Sequence, residues 1–219
     1  MNRFAWNMRY PDAEKFDKLI LWWSETRGPQ AVPGEYQARL IIGSDSMTVP
    51  FTILKDPRAT ATQADFQAKF DFLMEIRDKL SETHRTIQQI REIRAQVNTV
   101  TGRLDEESGA DIKAAAEVML EKLSDIEKTL YQTKNQSRQD PLNFPVRLNN
   151  KLATLAALSG VGNFRPTDQA VAVKNELVAQ IDPQLAQFQE VIATQLPAFN
   201  QLVRDSEIPA VILEDVKSD

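Results

Sequence analysis

The chain has no cysteine and a single histidine, His84, in 219 residues. Disulfides, thiol nucleophiles and cysteine-ligated metals are excluded, and imidazole chemistry has one candidate. Glycine is scarce, with seven in all, and Ser159-Gly160-Val161-Gly162-Asn163 lacks the preceding strand and the spacing of a phosphate cradle, so it reads as a helix terminator. No apolar run reaches the about 18 residues that would span a bilayer, and residues 1–20 lack the basic, apolar and small-residue order of a signal peptide. A dominant charge is missing too. The 26 Lys and Arg stand against 31 Asp and Glu, a net charge of −5, with both signs interleaved. That balance suits neither a phosphate backbone nor an anionic membrane, so neither nucleic-acid binding nor membrane insertion is expected, and no cofactor motif is present. What the chain does have is core-forming material: 42% of its residues are hydrophobic, enough for one large domain or two small ones.

The hydrophobic period changes once. Residues 3–8 alternate, with Phe4, Trp6 and Met8 on one side, the pattern of a half-buried strand. "LILWW" at 19–23 is a short apolar run, strand or buried loop, followed by the turn-rich "RGPQAVPG" at 27–34. Tyr36, Ala38, Leu40 and Ile42 then alternate with polar residues, as do Met47, Val49, Phe51 and Ile53, which predicts a β-hairpin turning over Gly43-Ser44-Asp45-Ser46. Pro57 ends it. Beyond Pro57 the period is helical. Thr62 and Asp65 resemble a capping box with Asp in place of Glu, opening a helix to about residue 104. Its seam is Phe66, Phe70, Leu73, Ile76, Leu80, Thr83, Ile87, Ile90, Arg94, Val97 and Leu104. Ser108 and Asp111 open a second helix with the seam Ile112, Ala116, Met119, Leu123, Ile126, Leu130. "NQSRQDPLNFP" at 135–145 is a loop expected to cross one end of the bundle. Helices follow from Val146 to Leu158 and, capped at Thr167, through Val203, with a kink or a restart expected at Pro183 and at Pro197.

The expected fold class is α+β, mostly α: a small antiparallel β module at 1–58, a long antiparallel up-and-down helical bundle at 62–205, and a flexible tail at 206–219. A two-stranded ribbon needs a cover for its apolar face, and the expectation is a sheet packed partly on one end of the bundle.

Taken in order, "NRFAWNMRYPDAEKF", "ILWW…RGPQAVPGEYQARLIIG", "FTILKDPR", "FDFLMEIRDKLSETHRTIQQIREIRAQV", "FPVRLNNKLATLAAL", "RPTDQ" and "LPAFNQLV" resemble the C-terminal region of bacterial sortilin-like, BNR-repeat propeller proteins often labelled glycosyl hydrolases. The resemblance covers nearly all of the chain; Trp6-Asn7-Met8-Arg9-Tyr10-Pro11 stands where that family typically has "WDLRYP". It implies a partial immunoglobulin-like module whose first strands, with a β-propeller, would precede Met1. It also implies a secreted or periplasmic setting, an upstream propeller as partner, and a non-catalytic accessory role in docking or presentation.

Two other functions compete with that expectation. Trp22 and Trp23 beside Arg27 would suit a stacking platform for carbohydrate; the favoured reading is that one tryptophan fills the sheet core and the other covers its edge or contacts the propeller, since tryptophan carries a large apolar surface wherever it is found. Carboxylate pairs such as Glu106-Glu107 or Glu214-Asp215 would have to face each other across a cleft to hydrolyse a glycoside, and their places in a loop and a tail mark them as solvated charges. His84 sits one step off the seam with no second histidine to share a metal, which predicts a surface imidazole.

Overall fold

The computed structural model describes residues 3–104 and 109–206. It contains an antiparallel hairpin, β1 (Gly34–Ile42) and β2 (Asp45–Ile53), followed by helices α1 (Gln63–Thr101), α2 (Ala110–Leu130), α3 (Leu148–Ser159), α4 (Asp168–Glu190) and α5 (Leu196–Asp205). The chain is thus mostly helical, with a small antiparallel sheet ahead of the helices, as its period change requires. The expected cap Ser108, and all of the expected tail except Ser206, lie outside the described residues.

At 39 residues, α1 is about 58 Å long and forms the spine. Thr62 caps it: its hydroxyl accepts from the Asp65 N–H at 3.2 Å, and the Asp65 carboxylate accepts from the Thr62 N–H at 2.9 Å. The buried seam Ile76, Leu80, Thr83, Ile87, Ile90 and Val97 follows the sequence expectation, and Phe72, His84 and Thr86 are buried beside it.

Cross-links fix the helix directions. Arg91 and Arg94 of α1 meet Glu127 of α2, while His84 and Lys69 meet Asn149 and the Gly160 carbonyl around α3. Both α2 and α3 therefore run antiparallel to α1, one along its C-terminal half and the other along its N-terminal half. The loop at 131–147 joins them end to end near the middle of the spine and does not cross a bundle end. The third leg is α4 and α5: Lys174–Glu75 and Lys79–Asp182 pairs set it parallel to α1, and Lys122–Glu190 ties it to α2. The bundle has three legs, the middle one in two pieces.

Neither proline of the last leg breaks it. Pro183 is exposed, so the carbonyl of Ala179 that it orphans faces water and α4 continues through it. Ahead of Pro197 the chain widens into a π-helical turn, Val191–Gln195, where the Leu196 N–H bonds the Val191 carbonyl five residues back. The wider turn accommodates the ring of Pro197, and a lone π turn is how helices absorb such a clash.

Residues 8–31 have no regular structure, and the alternating 3–8 stretch does not pair as a strand. Their backbone doubles back on itself, with Tyr10 N–H to Pro29 O at 2.9 Å, Ala31 N–H to Met8 O at 2.8 Å and Ala13 N–H to Thr26 O at 2.8 Å. Met8, Lys18 and Trp23 each take a positive φ, and at Met8 this ends the extension that the alternation of residues 3–8 suggests. The doubled segment lies against α1 as a strap, with Ala13 and Phe16 buried in the common core.

Candidate functional site

The hairpin is the most exposed apolar element of the described residues. Its register pairs Tyr36 with Phe51, Ala38 with Val49 and Leu40 with Met47. Side chains of a strand alternate, so these residues, with Ile42 and Ile53, share one face, and Glu35, Gln37, Arg39, Thr48 and Thr52 share the other. Neither strand packs against a helix. The expected cover from the bundle is absent: Leu40 is 58% exposed and Ile42 69%. Only the root is lined, because Trp6 lies with its ring centroid 6.1 Å from Tyr36 and 6.3 Å from Phe51, leaving Phe51 37% exposed. The hairpin leans on the bundle through loop contacts alone, where Gln63 donates to the Pro33 carbonyl and Lys55 to the Ala61 carbonyl.

The turn decides which backbone groups are free. It has two residues, Gly43 and Ser44, rather than the four its composition suggests, with Gly43 at φ 59° and Ser44 outside the positive range. Glycine in the first central position is the type II′ requirement. Ile42 and Asp45 close the turn as a hydrogen-bonded pair, and such pairs alternate with non-bonded ones along an antiparallel ladder. Gln37 and Pro50 are then a non-bonded pair, so the nitrogen of Pro50 points away from β1. Proline removes a donor from the outer edge of β2 and costs the inner ladder nothing. The outer edge of β1 keeps the N–H and C=O of Glu35, Gln37, Arg39 and Ile41.

Beside this edge, Trp6, Tyr36 and Phe51 line an open cleft of about 650 Å³ with Arg9, Gln37 and Arg39 at its rim. Trp22 and Trp23 do not belong to it. Their rings lie 6.2 Å apart and tilted, and Trp23 is 82% exposed, but Trp22 is pinned by its backbone: its N–H donates to Asn150 Oδ1 at 2.6 Å and its carbonyl accepts from Asn150 Nδ2 at 3.0 Å. Arg27 pairs with Glu25 at 2.9 Å and lines a separate cleft with Arg9 and Arg77. The structure brings the two tryptophans together, while the ion-pair partner of Arg27 is Glu25. Both carboxylate pairs considered for glycoside hydrolysis, Glu106-Glu107 and Glu214-Asp215, fall outside the described residues.

His84 corrects the surface expectation, being 1% exposed. Its Nδ1 lies 2.6 Å from the Glu14 carbonyl and its Nε2 3.3 Å from Asn149 Nδ2, with Phe16 edge-on against the ring. Burial pushes its pKa below the usual histidine value, against the weaker pull of the Glu14 carbonyl and carboxylate. The strap that buries it also binds the bundle through Glu14, which accepts from Arg85, and through Ile20, whose N–H donates to Tyr131 Oη at 3.2 Å. A second buried polar group sits nearby: the Glu127 carboxylate, 2.7 Å from both Arg91 and Arg94, with the Arg91 guanidinium 4.6 Å above the Phe16 ring. No group of three or more metal-binding side chains occurs among the described residues, and no helix among them is long and apolar enough to cross a membrane. No protein-family model, curated protein or solved structure matches the chain.

Proposed function

We propose that this chain is a non-catalytic docking region, a helical bundle that presents an incomplete β ribbon for a partner to complete. One observation carries the reading: the hairpin has an uncovered apolar face and one intact free edge. Two strands are marginal alone, and a third strand on the outer edge of β1 would satisfy the N–H and C=O groups there and extend the apolar face. The β2 edge, interrupted at Pro50, is protected in the manner of natural edge strands. The sequence resemblance supplies the partner class: the β-rich end of a secreted or periplasmic sortilin-like propeller protein, for which this chain would be the C-terminal accessory region.

The test is a pull-down against a propeller segment of that class ending in the first strands of its β module. Gln37→Pro removes an outward N–H from β1, and binding is expected to weaken at least tenfold; Thr48→Pro alters the already interrupted β2 edge and is expected to leave binding unchanged. Failure of the wild-type chain to bind, or equal loss in both variants, refutes the edge reading. A second reading, carbohydrate contact, is favoured by the cleft of Trp6, Tyr36 and Phe51 more than by Trp22 and Trp23, because aromatic faces beside Arg9, Gln37 and Arg39 combine stacking with polar forks. Oligosaccharide titration that quenches the fluorescence of wild type but not of Trp6→Phe would support it.

A further inference from the structure

His84 is the only histidine of the chain, and its two neighbours leave it one acceptable state. The Glu14 carbonyl 2.6 Å from Nδ1 can only accept, so Nδ1 carries the hydrogen. Asn149 Oδ1 is occupied by the Asn150 N–H at 2.7 Å, which turns the Asn149 NH₂ toward Nε2, so Nε2 must be an acceptor. A proton on Nε2 would set N–H against N–H in a buried site. Three backbone N–H groups of the same strap donate to the bundle: Glu14 N–H to Ser81 Oγ, Ile20 N–H to Tyr131 Oη, and Trp22 N–H to Asn150 Oδ1. Asn149 and Asn150 thus connect the histidine site to the far end of the strap. The charged groups around the ring are few. The strap brings the Glu14 carboxylate, which α1 neutralises with Arg85; beyond Phe16 stand Arg91 of α1 and Glu127 of α2; α3 meets the ring with the Asn149 amide.

We propose that residues 9–31 form an acid-released strap latched by neutral His84. With the strap closed, the ring is buried and fully bonded as the neutral Nδ1–H tautomer. With it lifted, the ring is hydrated and free to take a proton. The closed form therefore binds fewer protons than the open one, and its advantage is complete above the free-histidine pKa of about 6.5 and is lost as pH falls below it. The depressed pKa of the closed state has the sign this linkage needs. Between pH 7.5 and 5.0 the open-to-closed ratio rises about 30-fold when the ring of the closed state stays neutral throughout that range. Glu14 does not titrate in that window, because Arg85 holds its carboxyl below the ordinary carboxylate range. Release lifts Ala13 and Phe16 from the core and frees Trp22 from Asn150. The device is independent of whatever docks on the hairpin.

Amide hydrogen exchange of the full chain, corrected for intrinsic rates, tests it at pH 7.5 and 5.0. Protection of the Glu14, Ile20 and Trp22 amides is expected to fall about 30-fold at the lower pH and to lie below that of Ile87 and Leu123 in the bundle at both pH values, because the strap opens without the bundle. In His84→Gln, which retains a neutral donor and acceptor, strap protection should no longer depend on pH. A pH effect that persists in His84→Gln overturns the proposal. Should that variant fail to fold, NMR titration of the single wild-type imidazole decides: an apparent pKa at or above 6.5, with the strap amides equally protected at both pH values, also overturns it.

Discussion

Replacing Ile87 by alanine and, separately, Phe51 by alanine separates the two parts of this molecule. Ile87 is fully buried on α1 among residues of the common core. The change deletes three carbons, worth about 2.4 kcal/mol at about 0.8 kcal/mol per methylene. Up to about 80 Å³ of unrelaxed cavity at about 24 cal/mol per Å³ adds about 2 kcal/mol, so the expected loss is about 2.5–4.5 kcal/mol. Phe51 is larger, but its aromatic neighbours are Trp6 and Tyr36, and β2 touches no helix. Its truncation should leave the urea midpoint of the helical circular-dichroism signal within about 0.5 kcal/mol of wild type, the range of surface changes, while amide protection of residues 36–53 collapses. In the wild type those amides should already exchange faster than the α1 amides, since a ribbon held by loop contacts opens below the global free energy. A Phe51→Ala loss above about 1.5 kcal/mol in the helical transition would refute the reasoning, because it would require the hairpin to be part of the bundle's cooperative unit.

Other perturbations test the strap and the buried ion pairs. Glu127→Gln leaves Arg91 and Arg94 facing an uncharged amide; since both arginines keep about a third of their side-chain surface exposed, the expected destabilisation is about 3 kcal/mol, the low end for breaking a buried pair, measured by chemical denaturation. Gly28→Ala would place a Cβ 2.1 Å from the Tyr10 carbonyl oxygen, so it should loosen the doubled backbone at a cost of about 1–3 kcal/mol and raise exchange at the Tyr10 and Ala13 amides first.

The helical part is legible in the sequence because its signals are local. A capping residue with its acceptor three positions on and an apolar residue every three or four positions suffice to place α1 and its buried stripe. The stripe so read is too narrow for a physical reason. A seam at coiled-coil spacing assumes one partner, whereas α1 is packed by α2, α3, α4 and the strap. The extra burial of Phe72, His84 and Thr86 follows from those additional neighbours. His84 is misplaced by the pattern because the element that covers it is irregular backbone, whose course is set by positive φ values at Lys18 and Trp23, residue types that do not announce them. The middle leg is also hidden. Loop length makes α1 and α2 antiparallel neighbours, but nothing in "NQSRQDPLNFP" says whether a chain turns back or carries on in the same direction.

The hairpin shows how a wrong detail can leave the assignment of its edges and faces intact. Its turn reads as four residues and is two, which shifts every cross-strand partner of β1 by two positions. A strand's side chains and its inward and outward backbone groups both repeat every two residues, so this shift changes neither the face of any residue nor the side to which Pro50 turns its nitrogen. A shift of one would have moved Leu40 and Phe51 to opposite faces and carried the missing donor into the inner ladder, where proline is not tolerated. Pro50 thus excludes the odd registers on sequence grounds. From the same reasoning come one protected edge, one free edge and one apolar face. Whether the bundle covers that face depends on where the strap and the loop at 54–62 direct the hairpin, and residue pattern alone does not encode that direction. The free edge of β1 is therefore readable in the sequence, and its exposure becomes visible only once the helices are seen to pack against one another and leave the hairpin outside.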